Sequence, residues 1–364
     1  MKILVCGGAG FIGSNFIHYM LQTYPRYSII NFDKLTYAGN LDNLKDVEGS
    51  ERYTFVQGDV ANPRDVETVF EAHKPDMVIN FAAETHNDRS VHGEAAAFAM
   101  TNFVGVQTIL DAVERFGARR FVQVSTDEVY GELELHDARS FQIDDPMLPN
   151  SPYSAAKAGG DLMCRAYFRS FNTPVIVTHC TNNYGPYQYP EKLIPFFTAR
   201  AMHDEVLPLY GNGRNVRDWI YVIDHCRGLD LALHKGTPGE TYNFDADNER
   251  SNIDMANKIL EILGKPKELL TFIEDRPGHD MRYSLDATKA RTELGWEPVH
   301  NFDTMLEKTL RWYHENQWWI DGIKKRGAEL NKHIKDKVAM QDRTVVRGQK
   351  SIARAHIKGA FSRL

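Results

Sequence analysis

The stretch Ser125-Thr126-Asp127-Glu128-Val129-Tyr130-Gly131 places a hydroxyl and two adjacent carboxylates directly after the apolar run Phe121-Val122-Gln123-Val124. Tyr153 and Lys157 follow, four residues apart and so on one face if that segment is helical. Together these side chains offer a phenol that can be made basic, a hydroxyl that can steer it, an acid and a base. A simple dehydrogenase needs fewer proton-handling groups. The set suits oxidation of a sugar carbon, elimination of water and return of the hydride.

A phenol of pKa ~10 is a poor base at neutral pH, but a nearby ammonium and a positive nicotinamide ring favour the phenolate. Tyr153 can then take a proton from a sugar hydroxyl while hydride leaves the same carbon. Oxidation at C4 of a hexose acidifies the C5 proton, which lies α to the new ketone. Glu128 can remove that proton, while Asp127, kept protonated, assists loss of the C6 hydroxyl as water. Adjacent carboxylates in a partly dry site have their pKa values pushed apart. One hydroxyl of Ser125-Thr126 can hold the substrate oxygen near Tyr153. The plainer alternatives are a surface Tyr–Lys pair and a carboxylate pair that caps the next helix.

Gly7-Gly8-Ala9-Gly10-Phe11-Ile12-Gly13 follows the first predicted strand and opens the first predicted helix, which is the setting a dinucleotide fingerprint requires. Glycines permit the tight turn and close approach of backbone to a pyrophosphate, and the helix N-terminus adds N–H groups and positive potential. Asp33 ends the second strand about 20 residues beyond Gly13, where an acid bonds the adenosine ribose. An acid there favours NAD over NADP, although Lys34 beside it weakens the preference. Asp59, after the third strand, is a candidate for the adenine edge.

These groups must be carried by regular elements. Residues 2–6, 28–32, 53–57, 76–81, 119–125 and 173–180 read as short apolar strands, separated by helical patterns at 11–22, 63–72, 94–116 and 153–171. The alternation predicts an α/β fold, a Rossmann-type doubly wound parallel sheet covered on both faces. Ligands then bind beyond the carboxyl ends of the strands, where each motif falls. After about residue 184 prolines and a Gly211-Asn212-Gly213 turn interrupt the pattern, and apolar runs return near 219–233 and 241–245, with helices near 252–263 and 302–318. The expected organisation is an NAD-binding domain over 1–183, with elements near 217–245 returning to it. A smaller, interleaved substrate-binding lobe follows over 184–320, and then an extension over 321–364.

At 364 residues the chain can bury a full core. No apolar run is expected to approach the ~20 residues of a membrane span. Met1-Lys2-Ile3-Leu4-Val5 reads as a strand entering the glycine loop, not a signal peptide, so a cytoplasmic location is expected. Cys6, Cys164, Cys180 and Cys226 are scattered and read as free thiols; no metal site is signalled. From Asp321 onward Lys and Arg outnumber Asp and Glu by 12 to 4, against 31 to 45 over the rest. The acidic body argues against nucleic-acid binding, and a few placed arginines still allow an anionic substrate.

On these residues the chain resembles the dTDP-glucose 4,6-dehydratases of the extended short-chain dehydrogenase/reductase superfamily, from Met1 to about residue 320. The motifs are residues 7–13 and 33–40, Ala-Ala-Glu-Thr-His-Asn-Asp-Arg-Ser (82–90), 125–131, 182–195, Arg-Asp-Trp-Ile-Tyr-Val (217–222) and Asp-Arg-Pro-Gly-His-Asp (275–280). The resemblance implies a redox-neutral lyase with tightly held NAD that yields a 4-keto-6-deoxy sugar. Tyr153 would be the base at C4, Thr126 would position the hexose, Asp127 would be the acid at C6 and Glu128 the base at C5. NAD would be held by Gly7, Gly10, Phe11, Ile12, Gly13, Asp33, Lys34, Leu35, Thr36, Asp59 and Val60, and by Ala82, Ala83, Thr101, Tyr153, Lys157 and Asn183. The nucleotide sugar would meet Thr85, Thr126, Asn182, Lys192, Leu193 and Pro208, then Tyr210, Arg217, Asn252, Asp275, Arg276 and His279. Arg217 and Arg276 would fork onto the diphosphate, and Tyr210 would pack near the nucleobase. Asn87 and Thr181 depart from the usual valine and serine. A homodimer built on the helices near 94–116 and 153–171 is also implied, with Phe103, Val106, Ile109, Leu110 and Val113 on buried faces.

The segment beyond 320 matches nothing in the family. Ile323, Leu330, Ile334 and Val338 recur at loose helical intervals among lysines, and residues 352–357 could add an amphipathic turn. A solvated extension packing on its own body is expected, with docking onto a partner subunit as the alternative and no membrane or nucleic-acid partner. Three rival readings stay open: a UDP- or CDP-glucose 4,6-dehydratase, an NAD-dependent sugar-nucleotide 4-epimerase and a silent NAD-binding module.

Overall fold

The structure is a computed structural model that describes residues 1–325 other than His92 and Glu94. The extension expected over 321–364 therefore lies, from residue 326, outside the described residues. In chain order the first half comprises β1 (Lys2–Cys6), α1 (Phe11–Thr23), β2 (Ser28–Asp33), β3 (Tyr53–Gln57), α2 (Pro63–His73) and β4 (Met77–Asn80). Then come α3 (Asn87–Val91), α4 (Ala95–Ala99), α5 (Gly105–Phe116), β5 (Phe121–Val124), α6 (Pro152–Phe171) and β6 (Val175–Cys180). The second half contains β7 (Asn182–Tyr184), α7 (Leu193–Met202), β8 (Leu207–Tyr210), β9 (Val216–Tyr221), α8 (Val222–Lys235) and β10 (Thr241–Phe244). It ends with β11 (Glu249–Ser251), α9 (Asn252–Leu263), β12 (Leu270–Ile273), α10 (Phe302–Glu315) and α11 (Gln317–Lys325).

Seven strands form one parallel sheet in the order β3-β2-β1-β4-β5-β6-β10. Strands apolar on both faces need cover on both faces. α1 and α8 pack on one side around Phe16, Ile17, Leu229 and Leu233. α2, α5 and α6 close the other around Val66, Phe70, Ile109 and Cys164. The strand order reverses between β1 and β4, and the crevice at that switch point opens at the carboxyl ends of both strands. Later in the chain, α8 and β10 return to this layer. β9 does not: it pairs with β7 and β11 in a small separate sheet, while β8 pairs with β12. The lobe has its own core, with Ile194, Phe197, Leu209, Trp219, Ile259 and Leu306 at its centre.

Two helices differ from expectation. The span 94–116 is broken: a π-turn over Met100–Val104 separates α4 from α5. Taken whole, Ala95–Phe116 is long and apolar enough to cross a membrane, contrary to the sequence-based expectation, but half of it is buried against protein. The span 302–318 is likewise two helices, interrupted at Asn316. α6 begins where chemistry says it should. Ser151 and Ser154 form a reciprocal capping box, and Pro152 occupies the first turn, where its missing N–H costs nothing.

Candidate active site

The crevice holds two adjoining chambers that share Thr85, Glu128, Tyr153, Asn182, Glu191 and Lys192. The first follows the glycine loop. Gly7 has φ +74°, and a Cβ there would lie 2.5 Å from the Ala82 nitrogen. A Cβ on Gly13 would lie 2.4 Å from the Gly7 oxygen. A Cβ on Gly10 would meet only the Gly7 oxygen, at 3.3 Å, and otherwise point into open space. Gly10 is also the N-cap of α1 and offers no side-chain cap, and no acid sits in the first turn. Unpaired N–H groups, positive helix potential and clearance at Gly10 fit a pyrophosphate.

Asp33 is buried, and its two oxygens accept the backbone N–H groups of Ala9 (2.9 Å) and Leu35 (2.8 Å). It thereby fastens the glycine loop to the end of β2 while facing the chamber. Burial raises its pKa and those two N–H bonds oppose the rise. Lys34 pairs with Asp59 at 2.6 Å, bringing the two residues expected at the adenosine end together. Phe11, Ile12, Thr36, Val60, Ala82, Ala83 and Thr101 line the same chamber. Leu35 does not: its backbone, at φ +59°, serves Asp33 while its side chain lies off the cavity wall. Thr101 reaches the chamber from the π-turn, and Asn102 beside it bonds both the N–H and the C=O of Glu84 (2.9 and 3.0 Å). Asn183 lines the wall, with its amide committed to Thr181, Cys180 and His225.

The catalytic candidates meet where the chambers join. β5 ends at Val124, and Thr126 caps a short 3₁₀ turn over Asp127–Tyr130 by accepting the Glu128 N–H at 3.3 Å. The two carboxylates thus belong to their own turn, whereas the next helix is capped by Ser151. The Ser125 hydroxyl donates to Asp161 at 2.6 Å, which leaves Thr126 as the hydroxyl for substrate. Thr126 donates to Asp127 Oδ1 at 3.0 Å and also interacts with the Tyr153 phenol. Burial first, and Glu128 second, push Asp127 up to about 8. Tyr153 keeps part of its surface open to the cavity and meets Phe98 edge-on.

One expectation needs correction. The Tyr153 phenol is raised well above its ordinary value, by burial and then by Glu128, Cys180 and Asp127. Lys157 is buried, donates to the Val124 carbonyl at 2.6 Å, and is itself lowered by burial, with Asp161 opposing. The chain alone does not make Tyr153 basic, because burial and the neighbouring Glu128 carboxylate act against it.

The second chamber takes in Leu193, Pro208, Tyr210, Arg217, Asn252, Arg276 and His279 from the lobe. Arg217 is held by backbone carbonyls of Val216 (2.7 Å) and Asp280 (2.9 Å) and stacks 4.2 Å from the Tyr283 ring. Arg276 pairs with Asp88 at 2.6 Å, and Tyr210 donates to the same carboxylate at 3.2 Å. Lys192 Nζ reaches the Thr85 hydroxyl at 3.3 Å. Burial, with Arg276 and Arg217, lowers His279 to about 4, so it is neutral. Asp275 is off the cavity wall: it acts one layer back, bonding His279 Nδ1 at 2.6 Å. Asp88, Glu191, Trp219 and Tyr283 also line this chamber and were missed from sequence. Asp88 and Glu191 do fall inside motifs 82–90 and 182–195.

The chain matches the family model described as GDP-mannose 4,6 dehydratase over residues 4–309. It is 46% identical to a dTDP-glucose 4,6-dehydratase of Xanthomonas campestris pv. campestris (strain B100), over 88% of this chain and 95% of that protein. Among solved structures, a dTDP-glucose 4,6-dehydratase from Bacillus anthracis in complex with NAD is 46% identical and superposes with a TM-score of 0.83, covering 89% of this chain and 99% of that one. The enzyme of the same name from Streptomyces venezuelae, with NAD and TYD bound, is 45% identical with a TM-score of 0.84, over 88% and 98% of the two chains.

Proposed function

From a chain that belongs to the dTDP-glucose 4,6-dehydratase family, we infer an NAD-dependent hydro-lyase that converts dTDP-glucose to dTDP-4-keto-6-deoxyglucose and water. The observation that carries the reading is the Asp127–Glu128 turn beside Tyr153, in which burial and the adjacent carboxylate keep Asp127 an acid at neutral pH. Bound NAD supplies a hydride acceptor for C4 oxidation and a donor at C6. The chain supplies the remaining parts. Glycines 7, 10 and 13 with the start of α1 cradle the pyrophosphate, and Asp33 faces the ribose. Thr126 orients the C4 hydroxyl toward Tyr153, which takes its proton as the phenolate that the positive nicotinamide ring of bound NAD would favour. Glu128 removes the C5 proton and returns a proton to C5 as C6 is reduced, and Asp127 protonates the departing C6 hydroxyl. Asn182, Lys192, Arg217 and Arg276 receive the nucleoside diphosphate; Arg276 must share its guanidinium with Asp88 to do so.

A cytoplasmic homodimer is part of the same reading. All four cysteines are buried and free, as a reducing compartment allows. Val106, Ile109, Leu110 and Val113 are covered by the protomer's own sheet, but Phe103 is only half-buried, beside exposed Met100. That apolar surface supports a partner on α5 and α6.

The test is turnover by the full-length protein of dTDP-glucose, UDP-glucose and CDP-glucose, followed by the 4-keto chromophore in alkali. The expected result is a 4-keto-6-deoxy product, fastest with the thymidine nucleotide, without accumulation of reduced cofactor. Glu128→Gln should keep C4 oxidation within a few-fold and slow elimination about 100-fold or more. A C4 epimer as the product would establish the epimerase reading instead.

A further inference from the structure

Tyr153, Lys157 and Asp161 stand at successive i, i+4 positions on one face of α6. The first two belong to the reaction proposed above, and Asp161 does not reach either chamber. It is 3% exposed. Its Oδ2 accepts from the Ser125 hydroxyl at 2.6 Å and lies 3.2 Å from His179 Nε2, while Oδ1 meets no donor among the described residues. A buried carboxylate with one oxygen unsatisfied costs stability, so packing does not account for it.

Its connections enclose the acid–base turn. Lys157 bonds the Val124 carbonyl and Asp161 bonds Ser125, so one helix face grips two consecutive residues just before Thr126, Asp127 and Glu128. On the far side of His179, Nδ1 lies 2.9 Å from the Tyr130 hydroxyl and 3.2 Å from Asn243 Oδ1. Tyr130 is the last residue of the 3₁₀ turn. The segment is therefore held at both ends through one carboxylate.

The same carboxylate stands one helical turn from Lys157 on that face of α6. The titratable groups acting on that ammonium are Asp161 and Cys164 from α6 and Cys180 from β6. Burial pushes both thiols up, so they are neutral. Those facing Asp161 are Lys157 and Cys164 on its own helix, His179 from β6 and Tyr130 from the turn.

We propose that Asp161 is a positioning residue for the reaction: it registers α6 against the turn bearing Asp127 and Glu128, and it is the buried negative charge against which the Lys157 ammonium is held. This rests on the assignment of Tyr153 and Lys157 made above. Asp161→Asn keeps an acceptor for Ser125 and removes the charge.

Two measurements test it on the full-length protein with its NAD. The first is the pH profile of C4 oxidation, a step that precedes any use of Asp127. With the charge gone, Lys157 loses its proton at lower pH, so the limb that falls with rising pH moves down by about one unit or more. The loss relative to wild type should grow with pH along that limb, toward about tenfold for a one-unit shift, and stay under about threefold near pH 6, with the sugar-nucleotide KM within about threefold. An equal loss at every pH would overturn the charge role. The second is thermal unfolding of wild type, Asp161→Asn, Lys157→Met and the double variant, which needs no substrate. The double variant should unfold at a higher temperature than Asp161→Asn, because it no longer leaves an ammonium buried alone. Should Asp161→Asn fail to fold, a folded double variant is the expected outcome. Losses that simply add would sink the proposal, whereas a wild type that yields no 4-keto sugar would sink the functional reading and leave the unfolding cycle to be judged by itself.

Discussion

Asp127 concentrates the chemistry in one side chain. Burial, then Glu128, lift its pKa to about 8, whereas the unfolded chain ionises it near 3.9. The folded state therefore binds the extra proton between about pH 4 and pH 8, and a raised folded pKa contributes stability that is present below the lower value and lost as pH climbs to the upper one. At neutral pH, keeping this carboxyl protonated costs the fold on the order of 3–5 kcal/mol. Asn at 127 has no proton to hold, though its amide would be left short of an acceptor where Oδ2 now has no partner among the described residues. Asp127→Asn is thus expected to unfold a few degrees higher than wild type near pH 7.5 while eliminating water about 100-fold more slowly. In the wild type the dehydration rate should fall as pH rises through about 8, because the acid is then lost. A variant that melts no higher than wild type would show that Asp127 is not held neutral by burial. The residue types at 126–128, 153 and 157 were legible because each lies in a short contiguous motif. Asp88 lies in such a motif too but was not, since its role comes from Arg276, 188 residues away. The sign of the effect on Tyr153 was also hidden, because spacing reveals a nearby lysine but not the burial and the Glu128 carboxylate that raise the phenol.

At the level of elements, the glycine loop separates two jobs that share one residue type. Gly13 is needed by the fold: a Cβ there runs into the backbone at Gly7 and Gly8, at 2.4 and 2.8 Å. Gly10 is needed by the ligand, since a Cβ would meet one oxygen at 3.3 Å and otherwise occupy the space over the start of α1. Gly10→Ala should therefore melt within about 2 °C of wild type once both are stripped of NAD, yet bind NAD at least about tenfold more weakly. Gly13→Ala should lose stability and cofactor together, because α1 must move away from the loop. Calorimetric titration with NAD beside thermal unfolding distinguishes the two. If Gly10→Ala bound NAD as wild type does, the pyrophosphate would not lie over that glycine. The strand–loop–helix order was plain from the apolar run and glycine spacing. The π-turn at Met100–Val104 was not, because 94–116 carries an unbroken helical pattern. Its cause is tertiary: Asn102 is drawn to the Glu84 backbone, and the inserted residue turns Thr101 to the chamber.

On the scale of the molecule, the reaction needs two bodies brought face to face, and side chains in the crevice already bridge them. Asp88 from the sheet domain holds Arg276 and Tyr210 of the lobe, and Thr85 meets Lys192. The parallel sheet could be read in advance from alternating strands and helices, but the small sheets of the lobe could not. Their strands are three to six residues long and pair across intervening helices, so no local periodicity marks them. Apolar surface is left exposed on α6 and on the Met100–Val104 turn packed along it. Met100, Leu162 and Phe171 on these elements expose 49%, 55% and 57% of their area. A second copy meeting it through the same helices would bury the patch symmetrically. The wild type is therefore expected to sediment as a dimer at micromolar concentration. Leu162→Arg, which sets two unpaired charges into a two-fold interface, should weaken association at least about 100-fold. Because Leu162 points away from the crevice and from the protomer core, the monomer it yields should keep its fold by circular dichroism and its affinity for NAD. A wild type that sediments as a monomer, or a Leu162→Arg variant that still pairs, would place the partner elsewhere or remove it.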